Sequence, residues 1–180
     1  MNIAISPKDI TLKSIKIVKQ FSEETFCYTA TVYVHGKAFC KASNRGDGGP
    51  DSYDPIKSVA GSQNELQEKL TSLNSSLGNF PVTDYPNLKN NLELVVGGLL
   101  NDFELIKETR SILRKVSTLE CEGGKYCVQQ WPAKYKPTAD VIQRLKEKFG
   151  TKYIESKSVV FLNLLSLEEA HELLKKHFYS

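Results

Sequence analysis

Hydrophobic and polar residues alternate through the first part of the chain in a pattern typical of β-strands. The segments 10–21 and 25–44 are rich in Ile, Val, Thr, Tyr and Phe, and turn residues interrupt them. This pattern predicts an antiparallel meander of three strands. Because successive side chains of a strand point to opposite faces, we expect the even-numbered face of the second strand to be buried. Its residues are Phe26, Tyr28, Ala30, Val32 and Val34.

The third strand repeats this parity, with Cys40 and Ala42 among its small apolar residues. The two apolar sets share one face only if the loop between the strands has an odd number of residues. The sequence therefore predicts a three-residue loop, Val34-His35-Gly36, in which the glycine adopts the left-handed conformation.

Apolar residues recur at helical spacing in the middle of the chain. This spacing predicts one helix over most of 56–77 and a longer helix from 88 to about 116. For the first helix, Ser62-Gln63-Asn64-Glu65 also fits a capping box, which gives an alternative start that leaves Gly61 outside. We predict loops on either side of the first helix, over 50–55 and 78–86.

The last third of the chain predicts a mixture of short strands and helices. Residues 119–128 form two strand-like arms around a Gly-Gly turn, which predicts a hairpin. A helix is predicted after Thr138 and is ended by Gly150, and further strand is predicted at Tyr153-Ile154 and Ser158 to Leu162. The capping box at 166–169 opens a terminal helix. The strands at the start are grouped and do not alternate with helices, so the fold class is α+β, an antiparallel meander with several helices and an additional hairpin. We expect one domain over residues 1–180.

Composition and charge exclude few classes of function. The 180 residues are 40% hydrophobic and 25% charged, as in ordinary globular proteins, and the net charge of +3 is too small to indicate nucleic-acid binding. Residues 1–104 carry a net charge of −2 and residues 105–180 a net charge of +5, so an anionic partner, if there is one, is expected at the later part, and the alternative is charge that only solubilises the surface. We expect a cytoplasmic protein without a membrane partner, since no apolar stretch approaches the ~20 residues of a bilayer crossing and Pro7-Lys8-Asp9 interrupts a leader-like start.

The most distinctive segment is 43–55, where three glycines fall within four residues. Such glycines allow backbone N–H groups to converge on an anion or on a partner's backbone. The segment has neither the Lys-Ser/Thr pair of a Walker loop nor the order strand, Gly-x-Gly-x-x-Gly, helix of a dinucleotide site. The alternative is a tight strand exit with Asx turns. The candidate partner- or anion-binding residues here are Asn44, Arg45, Gly46, Asp47, Gly48, Gly49 and Tyr53.

No cofactor is expected. Asp47, Asp51 and Asp54 offer the carboxylates that Mg²⁺ or Ca²⁺ prefers, but their spacing does not match an EF-hand loop. The cysteines lack the closely spaced pairs of structural zinc sites.

Parity separates two of the four cysteines. Cys27 and Cys40 should point to opposite faces of their sheet, which argues against both zinc and a disulfide there. Cys121 and Cys127 flank the predicted hairpin turn and face each other in one register, so they are the pair to test for oxidation.

Basic residues alternate with aromatic ones between 125 and 136. This combination holds single-stranded nucleic acid through phosphate pairing and base stacking. The alternatives are that the only Trp packs partly into the core, or that the segment contacts a protein. The candidate contact residues are Lys125, Tyr126, Trp131, Lys134 and Tyr135.

No local signature selects a catalytic mechanism. The chain has no nucleophile elbow, and His171 and His177 are six residues apart on one helix, about 240° around its axis. They cannot share a metal from one face, and we expect them at the surface or at the helix end. A non-enzymatic protein is therefore the favoured interpretation.

The octapeptide Ala42-Ser43-Asn44-Arg45-Gly46-Asp47-Gly48-Gly49 is entered from a strand and followed by an aromatic-Pro turn. It resembles small uncharacterised proteins of phages and mobile elements, in which a strand runs into a Ser-Asn-x-Gly-x-Gly-Gly turn. The segment Phe161-Leu162-Asn163-Leu164-Leu165, followed by Glu168-Glu169-Ala170, is similar to their C-terminal end.

This resemblance carries no activity, but it implies a mobile-element origin, where small proteins often bind and block a host component. The resulting expectation is an inhibitor of a host defence or other macromolecular complex. Its partner would be a host protein or ribonucleoprotein complex, and its location the host cytoplasm. The alternative is a ligand-binding protein or enzyme that holds a nucleotide or phosphate at loop 44–54.

Overall fold

The computed structural model describes residues 5–78, 89–156 and 158–178, and its fold is α+β as predicted. The chain divides into two compact units, Met1–Asn101 and Asp102–Ser180. The expectation of one domain stays a prediction, because this division does not say whether the units unfold together. Among the described residues, no helix has both the length and the apolar character needed to cross a bilayer.

The N-terminal unit contains a four-stranded antiparallel meander in the order β1-β2-β3-β4. Its strands are β1 (Ile10–Ile17), β2 (Cys27–Val34), β3 (Lys37–Arg45) and β4 (Ser52–Pro55). The prediction of a loop over 50–55 was wrong for β4, which pairs with β3 from Ser43–Ser52 to Cys40–Pro55. The flanking prolines and the short length concealed a strand whose Tyr53 is half-buried while its neighbours Ser52 and Asp54 are exposed.

The apolar residues predicted to share the buried face of β2 and β3 do so, but the loop that joins the two strands differs from the prediction. Val34 lies opposite Lys37, so the loop is the two residues His35-Gly36, with φ angles of 48° and 75°, and the predicted three-residue loop was wrong. The one-residue change in register that aligns the two apolar sets comes instead from a bulge at Phe39. Beyond that bulge Val32 lies opposite Cys40, and both residues are fully buried.

Two helices cover the inner face of this sheet, α1 (Gln63–Ser76) and the first half of α2 (Leu92–Ile112). The start of a helix at 56 was wrong, and the alternative start is confirmed. The Ser62 hydroxyl accepts a hydrogen bond from the Glu65 N–H (3.2 Å), and the Glu65 carboxylate accepts one from the Gly61 N–H (2.8 Å). The predicted 78–86 loop lies, from residue 79, outside the described residues, and α2 is shorter than the predicted 88–116.

The C-terminal unit contains a three-stranded antiparallel sheet in the order β6-β5-β7. Its elements are β5 (Ser117–Glu122), β6 (Lys125–Gln130), α3 (Ala139–Ser156), β7 (Val160–Phe161) and α4 (Leu167–Phe178). The hairpin around Gly123-Gly124 is confirmed, with both glycines at positive φ. The capping box of α4 is also confirmed, since Ser166 and Glu169 exchange hydrogen bonds of 2.8 and 3.2 Å.

The predicted strand after Gly150 was largely wrong. Gly150 has a φ of 70° and breaks α3, but helical turns resume and include Tyr153-Ile154. Only Val160–Phe161 remains as strand, because a 3₁₀ turn at Leu162–Leu164 follows it directly. Buried residues of the C-terminal unit form two clusters, one around Leu105, Leu119, Leu162 and Leu174 and the other around Val116, Ile142, Leu145 and Phe161.

Candidate functional site

The glycine-rich loop, residues 46–51, joins β3 to β4. Asn44, one residue before the end of β3, makes four hydrogen bonds that connect β3, this loop and Thr25. Its amide nitrogen donates to the Gly49 carbonyl (2.8 Å) and to Asp51 Oδ1 (3.0 Å). Its amide oxygen accepts from the Gly46 N–H (2.8 Å) and from the Thr25 hydroxyl (3.0 Å). All four hydrogen-bonding positions of this amide are therefore used within the protein.

At Gly46 an added side chain would overlap the backbone of another segment, whereas at Gly48 it would meet the end of the Glu24 side chain. The Gly46 carbonyl accepts hydrogen bonds from three successive N–H groups, those of residues 23–25, at 3.0, 3.0 and 3.4 Å. The Gly46 φ of 91° lies in the left-handed region, and a Cβ atom there would overlap the carbonyl oxygen of Phe21. The loop is consequently fastened to the β1–β2 connection.

The glycine N–H groups do not converge on an open anion site. Besides the Gly46 bond to Asn44, the Gly48 N–H donates to the Thr25 hydroxyl (3.4 Å) and the Gly49 N–H to Asp47 Oδ1 (3.3 Å). Each of the three donors already has an acceptor on this unit. The geometry thus favours the tight strand exit with Asx turns over the anion nest.

A partly buried hydrogen-bond network adjoins the loop. Asp51 Oδ2 accepts from the hydroxyls of Tyr28 (2.6 Å) and Tyr53 (3.3 Å). Burial raises the pKa of both tyrosines well above its usual value, and the hydrogen bonds and negative charge of Asp51 raise it further. Both phenols therefore stay protonated and act as donors that hold the Asp51 carboxylate.

Next to this network the N-terminal unit has a cavity of about 480 Å³. Four of its lining residues are acidic, and no Lys, Arg or His occurs among the described residues that line it. Such a cavity repels phosphate. Its lining residues are Ser22, Glu23, Glu24, Thr25, Phe26, Tyr28, Asn44, Asp51, Glu93, Gly97, Leu100 and Asn101.

The three loop aspartates do not form a metal site. Asp51 is held by the tyrosines, Asp47 is exposed, and Asp54 lies opposite Lys41 on the exposed face of β3 and β4. Throughout the ranges that the structure describes, no three His, Cys, Asp or Glu side chains are grouped so as to hold a metal ion.

A groove of about 760 Å³ runs along the other side of the loop. Arg45, Asp47 and Gly49 line it together with Phe21, whose side chain is 59% exposed, and Val18, which is 37% exposed. Sequence reasoning missed these two apolar residues. The available signal was a large apolar residue inside a polar inter-strand connection, Lys19-Gln20-Phe21-Ser22, outside the alternation of either strand.

The aromatic residues of the 125–136 segment are packed against their own unit. The Tyr126 ring stacks on His177 at 3.7 Å between centroids, and a hydrogen bond with the Cys121 thiol raises the pKa of Tyr126. Trp131 and Tyr135 meet edge to face at 6.0 Å and pack on the cluster around Phe161.

This packing favours the partly buried Trp131 over a row of rings free for base stacking. Lys134 lies over the Tyr135 ring at 5.2 Å, while Lys125 is exposed at the hairpin turn, opposite Glu122.

The expectation of a surface position was wrong for His171. It is 7% exposed, and its Nε2 lies 4.0 Å from Asp102 Oδ1, which Lys175 Nζ contacts at 2.5 Å. Asp102 lies on α2 and His171 on α4. The apolar residues Leu105 and Leu174 on these two helices explain why this face of α4 is covered.

The hairpin register also separates the cysteine pair. Cys121 lies opposite Tyr126 and Cys127 opposite Glu120, so the two thiols point to opposite faces and cannot face each other. All four cysteines are free. The predicted separation of Cys27 and Cys40 agrees with the β2–β3 register, which places Cys27 opposite Arg45 and Cys40 opposite Val32.

Comparison with protein-family models, with curated proteins and with solved structures gave no match to this chain.

Proposed function

We propose that the chain is a non-enzymatic binding protein that attaches to another macromolecule and occludes it. The proposed contact surface is the groove beside the glycine-rich loop, with Phe21 and Arg45 as its main contacts. As the resemblance to mobile-element proteins implies, the partner in this proposal is a host protein or ribonucleoprotein complex, and the effect is inhibition.

The observation that carries the proposal is the exposed Phe21 ring on a groove that Arg45 also lines. An exposed aromatic ring and an arginine are the residue types that dominate protein–protein contacts. The bonds to the Gly46 carbonyl and those of Asn44 fasten the loop, so these side chains are presented without a large ordering cost on binding.

The same geometry weakens the alternative of a nucleotide or phosphate ligand at loop 44–54. The three glycine N–H groups are used internally, and the adjacent cavity is lined by carboxylates. An anion would find few free donors there and would be repelled by the acidic lining.

The test compares three variants with wild type as bait in a lysate of the organism that carries the gene. Phe21→Ala and Arg45→Glu should lose a captured protein, whereas Lys57→Glu, an exposed charge reversal outside the groove, should retain it. Equal melting temperatures establish that all three variants are folded.

Retention of the same captured protein by Phe21→Ala and Arg45→Glu would contradict the proposed surface. No captured protein, together with a rise in melting temperature on adding a nucleotide or inorganic phosphate, would favour the alternative.

A further inference from the structure

We propose that the chain forms a two-fold homodimer in which β6 pairs antiparallel with β6 of a second copy, so that two three-stranded sheets join into one of six strands. This inference is independent of the proposed function, since the groove belongs to the N-terminal unit and β6 to the C-terminal unit.

The edge strands of the two sheets differ in how they are protected. An open strand edge invites pairing with another chain unless bulges, lysines, proline or short length prevent it. Strand β1 has a bulge between Lys13 and Lys16, β4 has only four residues and ends at Pro55, and β7 has only two residues. The described part of the chain thus has three protected edges.

Strand β6 has only one of these protecting features, a lysine at its end, and lacks the others. It has six residues in unbroken register with β5, contains no proline, and carries a single charge at its first residue, Lys125. Five of its six residues are exposed. Within the described residues β6 pairs only with β5, so its other edge is open.

The direction of the open backbone groups follows from one hydrogen bond. The Trp131 N–H donates to the Val116 carbonyl (2.9 Å), which makes this cross-strand pair a hydrogen-bonded one. Because such pairs alternate along an antiparallel ladder, residues 125, 127 and 129 bond toward β5. The N–H and C=O groups of Tyr126, Val128 and Gln130 therefore point outward.

These outward groups restrict the register of a symmetric pair. Two copies can exchange hydrogen bonds only if Tyr126, Val128 or Gln130 of one copy lies opposite one of these residues in the other. This requirement excludes the register in which Lys125 faces Gln130, because an outward residue would then face an inward one. One permitted register places Tyr126 opposite Val128 of the second copy, twice by symmetry, and Cys127 opposite Cys127. Aromatic and β-branched pairs stabilise antiparallel neighbours, so this register is preferred over the one that opposes Tyr126 to Gln130.

Charge and apolar exposure favour a second copy as the occupant. In the antiparallel register Lys125 faces Gln129, so no like charges oppose each other, whereas parallel pairing would oppose the two lysines. Tyr126, a residue of β6 itself, is 39% exposed and adds apolar surface beside the edge.

The experiment measures the molar mass of the reduced protein in solution. We expect twice 20.2 kDa for wild type. Cys127→Lys would oppose two ammonium groups at the two-fold axis and should weaken the dimer at least tenfold in dissociation constant, about 1.4 kcal/mol. Gln129→Lys opposes Lys125 of the second copy and should weaken it in the same direction. Thr11→Lys adds the same charge to exposed β1 and should leave the dimer unchanged.

A second measurement tests the register. Directly opposed residues of a non-hydrogen-bonded pair have Cα atoms about 4.5 Å apart, within the range that a disulfide spans. A mild oxidant that takes up the two thiol hydrogens should therefore crosslink Cys121→Ser into a covalent dimer, while Cys127→Ser should give no covalent dimer.

The proposal is overturned if wild type is a monomer at every concentration, which includes the case where β6 pairs with a strand of a different protein. It is also overturned if folded Cys127→Lys and Gln129→Lys both remain as dimeric as wild type. A dimer that gives no crosslink through Cys127 overturns it as well.

Discussion

Glycines that share a positive φ have different structural roles in this chain. Gly36 and Gly46 both have positive φ, but a Cβ atom at Gly36 would meet no atom within 4 Å, whereas one at Gly46 would overlap the Phe21 carbonyl. Gly36 is required by its turn alone. Gly46 is required by its conformation and by the close approach of another backbone segment.

This difference predicts unequal effects of the same substitution. Gly36→Ala should lower the free energy of unfolding by about 1–2 kcal/mol, the cost of a left-handed alanine. Gly46→Ala should lower it by at least about 1 kcal/mol more, because the β1–β2 connection must also move. Urea unfolding of both variants measures this, with Gly36→Asn as a control that should cost less than Gly36→Ala. Equal losses for the two alanine variants would show that the β1–β2 connection moves away from residue 46 without a further cost in stability.

Strand β4 is the element on which the candidate site depends, because it carries Tyr53 and directly follows Asp51. Period-two alternation identified the buried faces of β2 and β3 from residues such as Val32 and Cys40. It could not identify β4, whose four residues are too few to show a period. It also could not identify the bulge at Phe39, since a bulge and a longer loop produce the same shift in parity.

The candidate site could be predicted only in part for a related reason. The glycine pattern identified the loop, but its hydrogen-bond partners, such as Thr25 and Asp51, lie up to 23 residues away along the chain. Pairing between strands brings these partners together, and the spacing of residues along the sequence does not reveal which strands pair. The exposure of Phe21 likewise depends on what the neighbouring strands leave uncovered.

The tyrosine pair that joins β2 and β4 to Asp51 predicts a loss of stability in alkali. In the folded state the pKa of Tyr28 and Tyr53 lies above the value of about 10 that both have when unfolded. Above that pH the unfolded chain releases protons that the folded chain keeps, so the free energy of unfolding falls as pH rises. Below pH 10 this contribution is fully present.

Denaturant titrations between pH 8 and pH 11 would measure this slope. Tyr28→Phe removes one of the two titrating donors and should give a shallower fall, although it is less stable at neutral pH because Asp51 loses its closest donor. Tyr53→Phe should act in the same direction. A fall that is equally steep in both variants and in wild type would assign the alkaline loss to other groups.

At the scale of the whole molecule, the two compact units take core residues from one helix. The N-terminal core includes Leu92, Val96 and Leu100, while the C-terminal core includes Leu105 and the half-buried Ile112. All five belong to α2, and the boundary between the units falls between its residues 101 and 102. Most of a helix's stability comes from the packing of its apolar face, so unfolding of either core removes the support for half of α2.

We therefore expect both units to unfold in one transition, as the single-domain prediction requires. Two local probes test this along a urea series. Fluorescence of Trp131, the only tryptophan, reports on the C-terminal unit, and the reactivity of the fully buried Cys40 thiol reports on the N-terminal unit. Cys27, Cys121 and Cys127 are replaced by Ser so that the thiol signal comes from Cys40 alone. Coincident midpoints support one cooperative domain, and separated midpoints would establish two domains that fold independently on either side of residue 101.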